Sequence, residues 1–429
     1  MDPLVHSNHD SPEQRQASRR NQRCVCVTLD RPALARDMAD QLGDDTDDIL
    51  SSKAWRHLFS DVAVFVAHQD LTQMQAMVQA LEAAVTLPDY QDHVLSRAPA
   101  TARCNPGPAG VFMGYDFHLG ADGPRLIEIN TNAGGAFINA VLARAQRQCC
   151  GGTNNETWTE GFDRAVIHQF ESEWRTQYSS KGPGTIAIVD EQPREQYLYP
   201  EFKLAQQLLQ NNGIDTLILS PEELHYEAGG LYGNGKRIDL VYNRLVDFAL
   251  EAPEHTALRS AWLDKSAVIT PNPRAHALFA DKRNLAALSD PAWLEDGGLN
   301  PDNANLLSQC IPQTVRVTPD NASSLWQDRR KWFFKPVAGH GSKGVYRGSK
   351  LTQKTFARII EKDYIAQAHV PPSERQVLVD GERENLKVDV RLYTYRGDTI
   401  LAAGRLYRGQ TTNFRTAGGG FAPLLVMED

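Results

Sequence analysis

Apolar positions recur with helical or strand periodicity along most of the chain, and this pattern predicts a mixed α/β protein. From Asp70, the run DLTQMQAMVQALEAAV spaces its apolar residues three and four positions apart, which predicts an amphipathic helix. In the segment 110–130, two apolar runs flank Ala-Asp-Gly, which predicts two strands joined by a tight turn. Asp116 and Glu128 are then expected on neighbouring strands.

A second pattern begins near residue 185, where short apolar runs enclose an amphipathic segment. TIAIVD and DTLILS read as strands, and FKLAQQLLQNNG between them reads as a helix with a glycine stop. Strand, helix and strand at this spacing predict a right-handed parallel crossover. LVYNRL predicts a further strand of the same sheet. Residues 181–275 are therefore expected to form a Rossmann-like parallel α/β domain.

The remaining pattern divides the rest of the chain into three parts. Residues 1–22 are polar and aperiodic, which predicts a disordered tail. Residues 23–180 are expected to hold a helical region and the two strands of 110–130. Residues 276–429 are expected to begin with a helix around His276 to Leu288 and to continue with strands on either side of a glycine-rich loop, the last two of them antiparallel.

Composition and charge restrict the classes of partner. The 429 residues carry 45 Lys and Arg against 53 Asp and Glu, a net charge of -8, which disfavours general attraction to nucleic acid or to an anionic membrane. No apolar stretch reaches the roughly 20 residues that span a bilayer, and the first residues lack a signal-peptide core. The six scattered cysteines are typical of reduced thiols. We therefore expect a cytoplasmic protein that binds neither nucleic acid nor membrane.

A lysine followed by a glycine-rich loop is the strongest chemical signal. Lys335 opens the run KPVAGHGSKG between two apolar strands, and glycines there let backbone N–H groups approach phosphate oxygens. Lys282 in ADKRN is a second lysine about fifty residues earlier. A plain glycine hairpin with solvated lysines is the alternative interpretation. The run is not a Walker A motif, because no helix follows it. The loop candidates are Gly339, Gly341, Ser342 and Gly344.

Two carboxylates and an amide form the second signal. Glu128 and Asn130 share one face of their strand because side chains alternate along strands, and Asp116 is expected on the neighbouring strand. Oxygen ligands of this kind suit Mg²⁺ held against a polyphosphate. The alternative is an ordinary solvated strand face. The glycines of the following segment TNAGGA, with Asn132, Gly134 and Gly135, again suit close backbone approach to a ligand.

Arginines near the carboxyl end form the third signal. Arg391 and Arg405 lie in the middle of predicted strands, where a guanidinium group is costly unless it meets an anion. Arg415 lies beside Gly418-Gly419-Gly420. Surface arginines are the alternative, but the alternation V-D-V-R-L-Y places Asp389 and Arg391 together on one face. The lysines, the metal-ligand candidates and the arginines together are typical of a phosphoryl-transfer site.

In their order, these motifs resemble the ATP-grasp superfamily and its circularly permuted branch, which includes eukaryotic-type glutathione synthetase. RLIEINTNAGGA, LVYNRLVDF, DKRNLAALSD, FFKPVAGHGSKGVY and FRTAGGGFAP each resemble a segment of that family, in register over most of residues 110–429. GYDFHL and VDVRLYTYRG also look like strands of the ribosomal-protein glutamate ligases. The resemblance implies a permuted ATP-grasp fold with the parallel α/β domain inserted as the substrate-binding domain.

The resemblance also implies roles for individual residues. The implied cofactors are ATP and Mg²⁺. It implies that YIAQAHV, with Gln367 and His369, contacts adenine, that Lys282, Lys335 and the glycine loop hold the phosphates, and that Asp116, Glu128 and Asn130 bind magnesium. Arg391, Arg405 and Arg415 would then stabilise the transferring phosphoryl group. Expected substrate contacts are Asn132, Gly134, Gly135, Glu201, Asn243, Arg244 and Thr416.

The expected activity is that of a carboxylate–amine ligase acting through an acyl-phosphate on small amino acids or peptides. The chain departs from glutathione synthetase at Gly339 or His340, where that family has a metal-binding glutamate, so the resemblance does not specify glutathione as the product. An ATP-binding regulatory pseudo-enzyme and an ATP-grasp phosphotransferase are the alternatives. The sequence leaves the possibility of a homodimer open.

Overall fold

The computed structural model describes residues 11–42, 53–120, 122–145, 153–154, 160–179, 182–337, 344–410, 412–413 and 416–427. Its helices are α1 (Pro12–Arg23), α2 (Arg31–Leu42), α3 (Lys53–Leu58), α4 (His68–Val85), α5 (Pro88–Ser96), α6 (Ala136–Arg144), α7 (Phe162–Arg175), α8 (Tyr199–Asn211), α9 (Thr256–Leu263), α10 (Pro273–Ala275), α11 (Asn284–Leu288), α12 (Pro291–Asp296), α13 (Pro301–Cys310), α14 (Ala322–Gln327) and α15 (Gln353–Ile360). In this part of the chain, no helix is both long and apolar enough to cross a bilayer.

Within the described residues, four sheets are built from the following strands. They are β1 (Val64–Ala67), β2 (Met113–Gly120), β3 (Gly123–Asn130), β4 (Thr153–Asn154), β5 (Thr185–Val189), β6 (Asp215–Leu219), β7 (Leu224–Glu227), β8 (Gly230–Gly233), β9 (Lys236–Ile238), β10 (Leu240–Asn243), β11 (Val268–Thr270), β12 (Thr314–Arg316), β13 (Trp332–Pro336), β14 (Tyr346–Arg347), β15 (Tyr364–Ala368), β16 (Ser373–Val379), β17 (Glu382–Tyr395), β18 (Asp398–Tyr407) and β19 (Gly420–Met427).

The largest sheet joins the two ends of the chain. Its order is β1-β19-β18-β17-β2-β3, with β16 added to β17 and β4 to β19. The predicted hairpin of 110–130 is present as β2 and β3, and the predicted antiparallel pair near the carboxyl end is present as β17 and β18. The predicted helix from Asp70 is α4, whose apolar stripe is buried in the main hydrophobic core.

The expected parallel sheet is present within residues 181–275. Its order is β11-β10-β5-β6, and every neighbouring pair is parallel. Helix α8 crosses from β5 to β6 with Phe202, Leu204, Ala205 and Leu209 buried, as its sequence periodicity predicts. The polar loops that follow β5 and β10 therefore lie at the same edge of the sheet, where ligands of open parallel sheets bind.

A smaller antiparallel sheet, β12-β15-β13-β14, carries Lys335 on β13 and Gln367 on β15. It packs on its own apolar cluster, which includes Phe334, Phe356 and Ala366. The large sheet and this smaller sheet are the two walls of the site described below. The mixed α/β class expected from the sequence is thus confirmed.

The expectation of a disordered tail over residues 1–22 is wrong from Pro12 onwards. Helix α1 begins with a capping box, in which the Ser11 and Gln14 side chains each bond the other residue's backbone N–H. Asn21 exchanges two hydrogen bonds with the backbone of Phe65 on β1, at 2.8 and 3.0 Å. Arg375 of β16, fully buried, donates to the carbonyl of Asn21 at 3.1 Å. Polar contacts hold this helix, which is why an apolar pattern did not reveal it. Residues 1–10 lie outside the described part.

The expectation of one helix from His276 to Leu288 is also wrong. The segment has a π-type turn over His276–Ala280, and α11 starts only at Asn284. Asp281 interrupts the helix with extended backbone, and its carboxylate binds the backbone N–H and the guanidinium group of Arg283. This local pairing places Lys282 in a turn rather than at the start of a long helix.

Candidate active site

Four buried charged side chains form a row across three strands, which we call the charge ladder: Asp389, Arg405, Asp116 and Arg391. Strand register creates it, because Asp389 lies opposite Arg405 between β17 and β18, and Arg391 lies opposite Asp116 between β17 and β2. Arg391 binds both oxygens of Asp116, at 2.6 and 2.7 Å. Arg405 bridges the two carboxylates, at 2.8 Å to Asp116 and 2.5 Å to Asp389. Each of the four is less than a tenth exposed.

Three members of the ladder, Asp116, Arg391 and Arg405, have pKa values shifted in favour of their charged forms. Burial alone would raise the pKa of Asp116, but Arg391 and Arg405 outweigh it and hold this pKa below its ordinary range. Burial opposes the charge of the arginines, and the carboxylates nonetheless raise the pKa of both. Buried guanidinium groups are thus fixed in place by paired carboxylates.

Lys335 lies half-buried between the large and the smaller sheet. Its ammonium group donates to the carbonyl of Ile127 on β3 and to the side-chain oxygen of Gln367 on β15, both at 2.8 Å. Burial lowers the pKa of Lys335 to about 8; Glu128 opposes this shift and Lys282 adds to it. A partly desolvated ammonium group of this kind gains from an anion placed beside it.

The three expected metal ligands meet, but they are not equally available. Asp116 and Glu128 are directly paired between β2 and β3, and the Asn130 amide donates to Asp116 at 3.0 Å. Both oxygens of Asp116 accept hydrogen bonds from arginines, and its role as a magnesium ligand stays a prediction. Glu128 is about a third exposed and forms an ion pair with Lys282 at 3.4 Å.

The donor set that remains suits magnesium. Within the described residues, no group of three or more His, Cys, Asp or Glu side chains is arranged around a metal position. Mg²⁺ in nucleotide sites usually takes one or two protein oxygens and completes its shell with phosphates and water. Glu128 and Asn130 both line the cavity described next and supply such oxygens.

A cavity of about 760 Å³ opens between the two sheets, and we call it the central cavity. Seven lysine and arginine side chains line it against two carboxylates: Lys282, Lys335, Arg347, Lys350, Lys387, Arg391 and Arg405, with Asp116 and Glu128. The charge ladder is balanced within itself, but the other five lysine and arginine side chains outnumber Glu128, so the field in the cavity favours an anion with several charges. Its size is that of ordinary small-molecule sites.

Four of the five predicted ATP contacts that the structure describes line the central cavity, and Gly344 is the one that does not. Lys282, Lys335, Gln367 and His369 all line the central cavity. Gly344 has a left-handed φ of 74° and its carbonyl accepts a hydrogen bond from the Tyr364 hydroxyl at 3.0 Å. The remaining loop candidates Gly339, Gly341 and Ser342, together with Arg415, lie outside the described residues.

Most of the expected substrate residues do not line the central cavity. Asn132 lines the cavity, but Glu201, Asn243, Arg244, Gly134, Gly135 and Thr416 do not. The Asn243 amide binds the carbonyl of Pro271 and the backbone N–H of Leu245, so it holds its own loop. The Thr416 hydroxyl binds the backbone N–H of Arg408 and the side chain of Asn413.

A second pair of buried ionisable side chains, Glu201 and Arg244, lies outside the lining of the central cavity. Glu201 accepts a hydrogen bond from the backbone N–H of Gly135, while its other oxygen has no hydrogen-bond partner among the described residues. Burial raises the pKa of Glu201 to about 7, although Arg244 opposes the shift. The Arg244 guanidinium lies over the rings of Tyr242 and Phe202, and its Nε is likewise unpartnered. These groups shape the strand end at Gly134 and Gly135 from behind.

The structure adds cavity residues that the sequence reasoning missed: His118, Arg347, Lys350, Lys387 and Tyr407. Two of them were detectable. Lys387 lies two residues before Asp389 on β17, and Tyr407 lies two residues after Arg405 on β18, so strand alternation places each on the ladder's face. Arg347 and Lys350 come from the short strand and turn after the glycine loop, where no periodicity exists to reveal them.

Comparison with solved structures shows what this arrangement is similar to. A glutathione synthetase-like effector from Globodera pallida matches 92% of this chain and 96% of its own, with 12% identity and a TM-score of 0.58. A protein assigned as a gamma-glutamylcysteine synthetase from Methylobacillus flagellatus matches 79% and 83%, with 11% identity and a TM-score of 0.45. The ATP-grasp ligase PsnB, complexed with its minimal precursor, Mg and ADP, matches 56% and 87%, with 16% identity and a TM-score of 0.29.

No protein-family model matches the sequence, and no curated protein matches it. The first of the three likenesses extends over nearly the whole of both chains and establishes a shared fold. The predicted circular permutation stays a prediction.

Proposed function

Since this chain has the ATP-grasp-like fold of a glutathione synthetase-like protein, we propose that it is an ATP-dependent ligase that joins a carboxylate to an amine. The proposal includes Mg-ATP as co-substrate and an acyl-phosphate as the intermediate. In that step the substrate carboxylate attacks the γ-phosphorus of ATP and ADP leaves. The amine then attacks the acyl carbon, and inorganic phosphate leaves as the amide forms.

The observation that carries this proposal is the charge distribution of the central cavity. The two arginines and two aspartates of the charge ladder balance one another, and the remaining five lysine and arginine side chains of the cavity face one carboxylate, that of Glu128. Phosphoryl transfer needs positioning and charge neutralisation far more than covalent chemistry from the protein. A cavity with fixed cations supplies both without rearrangement during the reaction.

Each group has a distinct part in this proposal. Lys335 and Lys282 hold the phosphates, and Gln367 and His369 line the adenine side. Arg391, fixed by Asp116 at the end of the charge ladder, faces the carboxylate or the transferring phosphoryl group. Magnesium, when bound by Glu128 and Asn130, neutralises phosphate charge.

The test is phosphate release from ATP with Mg²⁺ across pairs of amino acids, dipeptides and amines. We expect release only with a particular acid and amine pair, and loss of release in Glu128→Gln. Glu361→Gln is the matched control, because this glutamate is exposed and does not line the central cavity. Nucleotide affinity is measured for all three proteins by calorimetry.

The outcomes separate the alternatives. Tight Mg-ATP binding with no turnover on any pair would contradict the ligase and favour an ATP-binding regulatory protein. Turnover that needs the carboxylate but not the amine, with a stable phosphorylated product, would favour a phosphotransferase. Equal loss of activity in Glu128→Gln and Glu361→Gln would show that the central cavity is not the site.

A further inference from the structure

Part of the lining of the central cavity is apolar or aromatic and comes from the segments around the parallel sheet. Leu198, Val246, Phe248 and His276 form this part, and we call them the apolar wall. Leu198 precedes α8, Val246 and Phe248 follow β10, and His276 starts the π-type turn. The wall therefore comes from the parallel α/β domain and the residues directly after it.

The centre of the wall is a flat pair of rings. Phe248 and His276 stack with their centroids 3.8 Å apart and their planes within 4°. The His276 ring is fixed by a hydrogen bond between its Nδ1 and the Thr131 hydroxyl at 3.2 Å. Burial lowers the pKa of His276 to about 4, so the ring is neutral at physiological pH. The pair thus presents an uncharged aromatic surface beside the metal-binding strand end.

The loop that carries Phe248 is held from the same strand end. The Asn132 amide donates to the carbonyls of Arg244 and Leu245, at 2.6 and 3.1 Å. Phe248 is therefore fixed in position before a ligand binds, which lowers the entropy cost of binding.

Val246 adds apolar surface that the protein itself does not cover. Its side chain is 43% exposed although it lines a cavity. An apolar side chain gains free energy when a ligand removes it from water, roughly 25 cal/mol per Å² of covered surface. A charged or strongly polar ligand group at this place would lose hydration without a hydrogen-bond partner from these side chains.

We propose that the substrate bound at this side of the central cavity is an aromatic amino acid, or a short peptide with an aromatic residue, whose ring packs against the Phe248 and His276 pair. This inference rests on the proposed function, since it names the class of one of the two substrates. Aromatic rings favour stacked or edge-on contact with other rings, beyond the gain from burial alone.

The test is direct binding of phenylalanine and of glutamine, a polar probe of similar size, by calorimetry with and without a non-hydrolysable ATP analogue and Mg²⁺. We expect phenylalanine to bind at least about tenfold more tightly than glutamine. Phe248→Leu keeps an apolar side chain and removes the ring, and it should reduce phenylalanine affinity about two- to tenfold while leaving nucleotide affinity unchanged. Leu378→Ala, an exposed apolar residue outside the cavity, is the control.

Equal affinity for the two probes, a preference that is undiminished in Phe248→Leu, or no binding of phenylalanine would each overturn the inference. Because binding is also measured without nucleotide, its result does not depend on catalysis. Phenylalanine binding without any phosphate release would retain the inference and remove the ligase activity, whereas phosphate release with only polar substrates would do the reverse.

Discussion

Replacing Asp116 by asparagine is the sharpest test of the charge ladder. The substitution keeps the shape of the side chain and removes the carboxylate charge that pairs with Arg391 and Arg405. Two buried guanidinium groups then surround a neutral amide. Breaking a buried ion pair by removing one partner costs about 3 to 5 kcal/mol. We expect a loss of that size in the free energy of unfolding. The matched control is Asp61→Asn, whose ion pair with Arg31 is exposed, and exposed pairs contribute at most about 1 kcal/mol.

The assay is urea unfolding of the three proteins at several pH values. Their free energies of unfolding are compared where the dependence on urea concentration, the m-value, is the same. The pKa of Asp116 lies below its ordinary range in the folded protein, so its stabilisation is present above the unfolded pKa of about 3.9 and is lost as pH falls through the folded value. The difference between wild type and Asp116→Asn should therefore be constant from pH 5 to pH 8. A loss below about 1 kcal/mol, or one that grows between pH 5 and pH 8, would refute the reasoning.

Three further predictions follow from buried groups near the cavity. Because the pKa of Lys335 is about 8 and an anion raises it, the binding of Mg-ATP at pH 8 should be accompanied by the uptake of about half a proton. Calorimetry in buffers of different ionisation enthalpy measures this uptake, which should be absent in Lys335→Met. The pKa of Glu201 is raised to about 7, so wild type should lose stability from about pH 4.3 to pH 7, because the glutamate of the unfolded chain ionises first. Urea unfolding at pH 5 and pH 7.5 should show that this decrease in the free energy of unfolding is absent in Glu201→Gln. Gly135→Ala should lower the melting temperature far more than Gly213→Ala, because both have positive φ but only the new Cβ at Gly135 meets a ring, that of Phe421, at 2.3 Å; equal shifts would contradict this.

Local patterns in the sequence predicted the strands better than their partners. The alternation of Asp389 and Arg391 placed both on one face of β17, and that face is the one that carries the ladder. The anion that Arg391 meets is Asp116, 275 positions away. Strand periodicity contains no information on which distant strand will pair or in which register, so the ion pairs of Asp116 with Arg391 and Arg405 could not be predicted from sequence.

The missed features share a physical origin as well. Glu201 and Arg244 were expected as substrate contacts because a charged residue at a strand or helix end usually faces the ligand, but both are buried behind Gly134 and Gly135. The helix α1 was missed since polar groups attach it to β1 and β16. The Ser11 to Gln14 capping box was legible in the sequence, while its distant partners were not.

The pairing of β1 with β19 constrains how the chain can fold as it is made. Val64 to Ala67 align with Leu424 to Met427, so a strand translated early waits for more than three hundred further residues before its neighbour exists. The parallel sheet of β5, β6, β10 and β11 is complete by Thr270, and it can assemble while the ribosome is still adding the rest. A ribosome that stalls anywhere before β19 therefore leaves the apolar β1 without its neighbour strand, as a surface for chaperones or for aggregation.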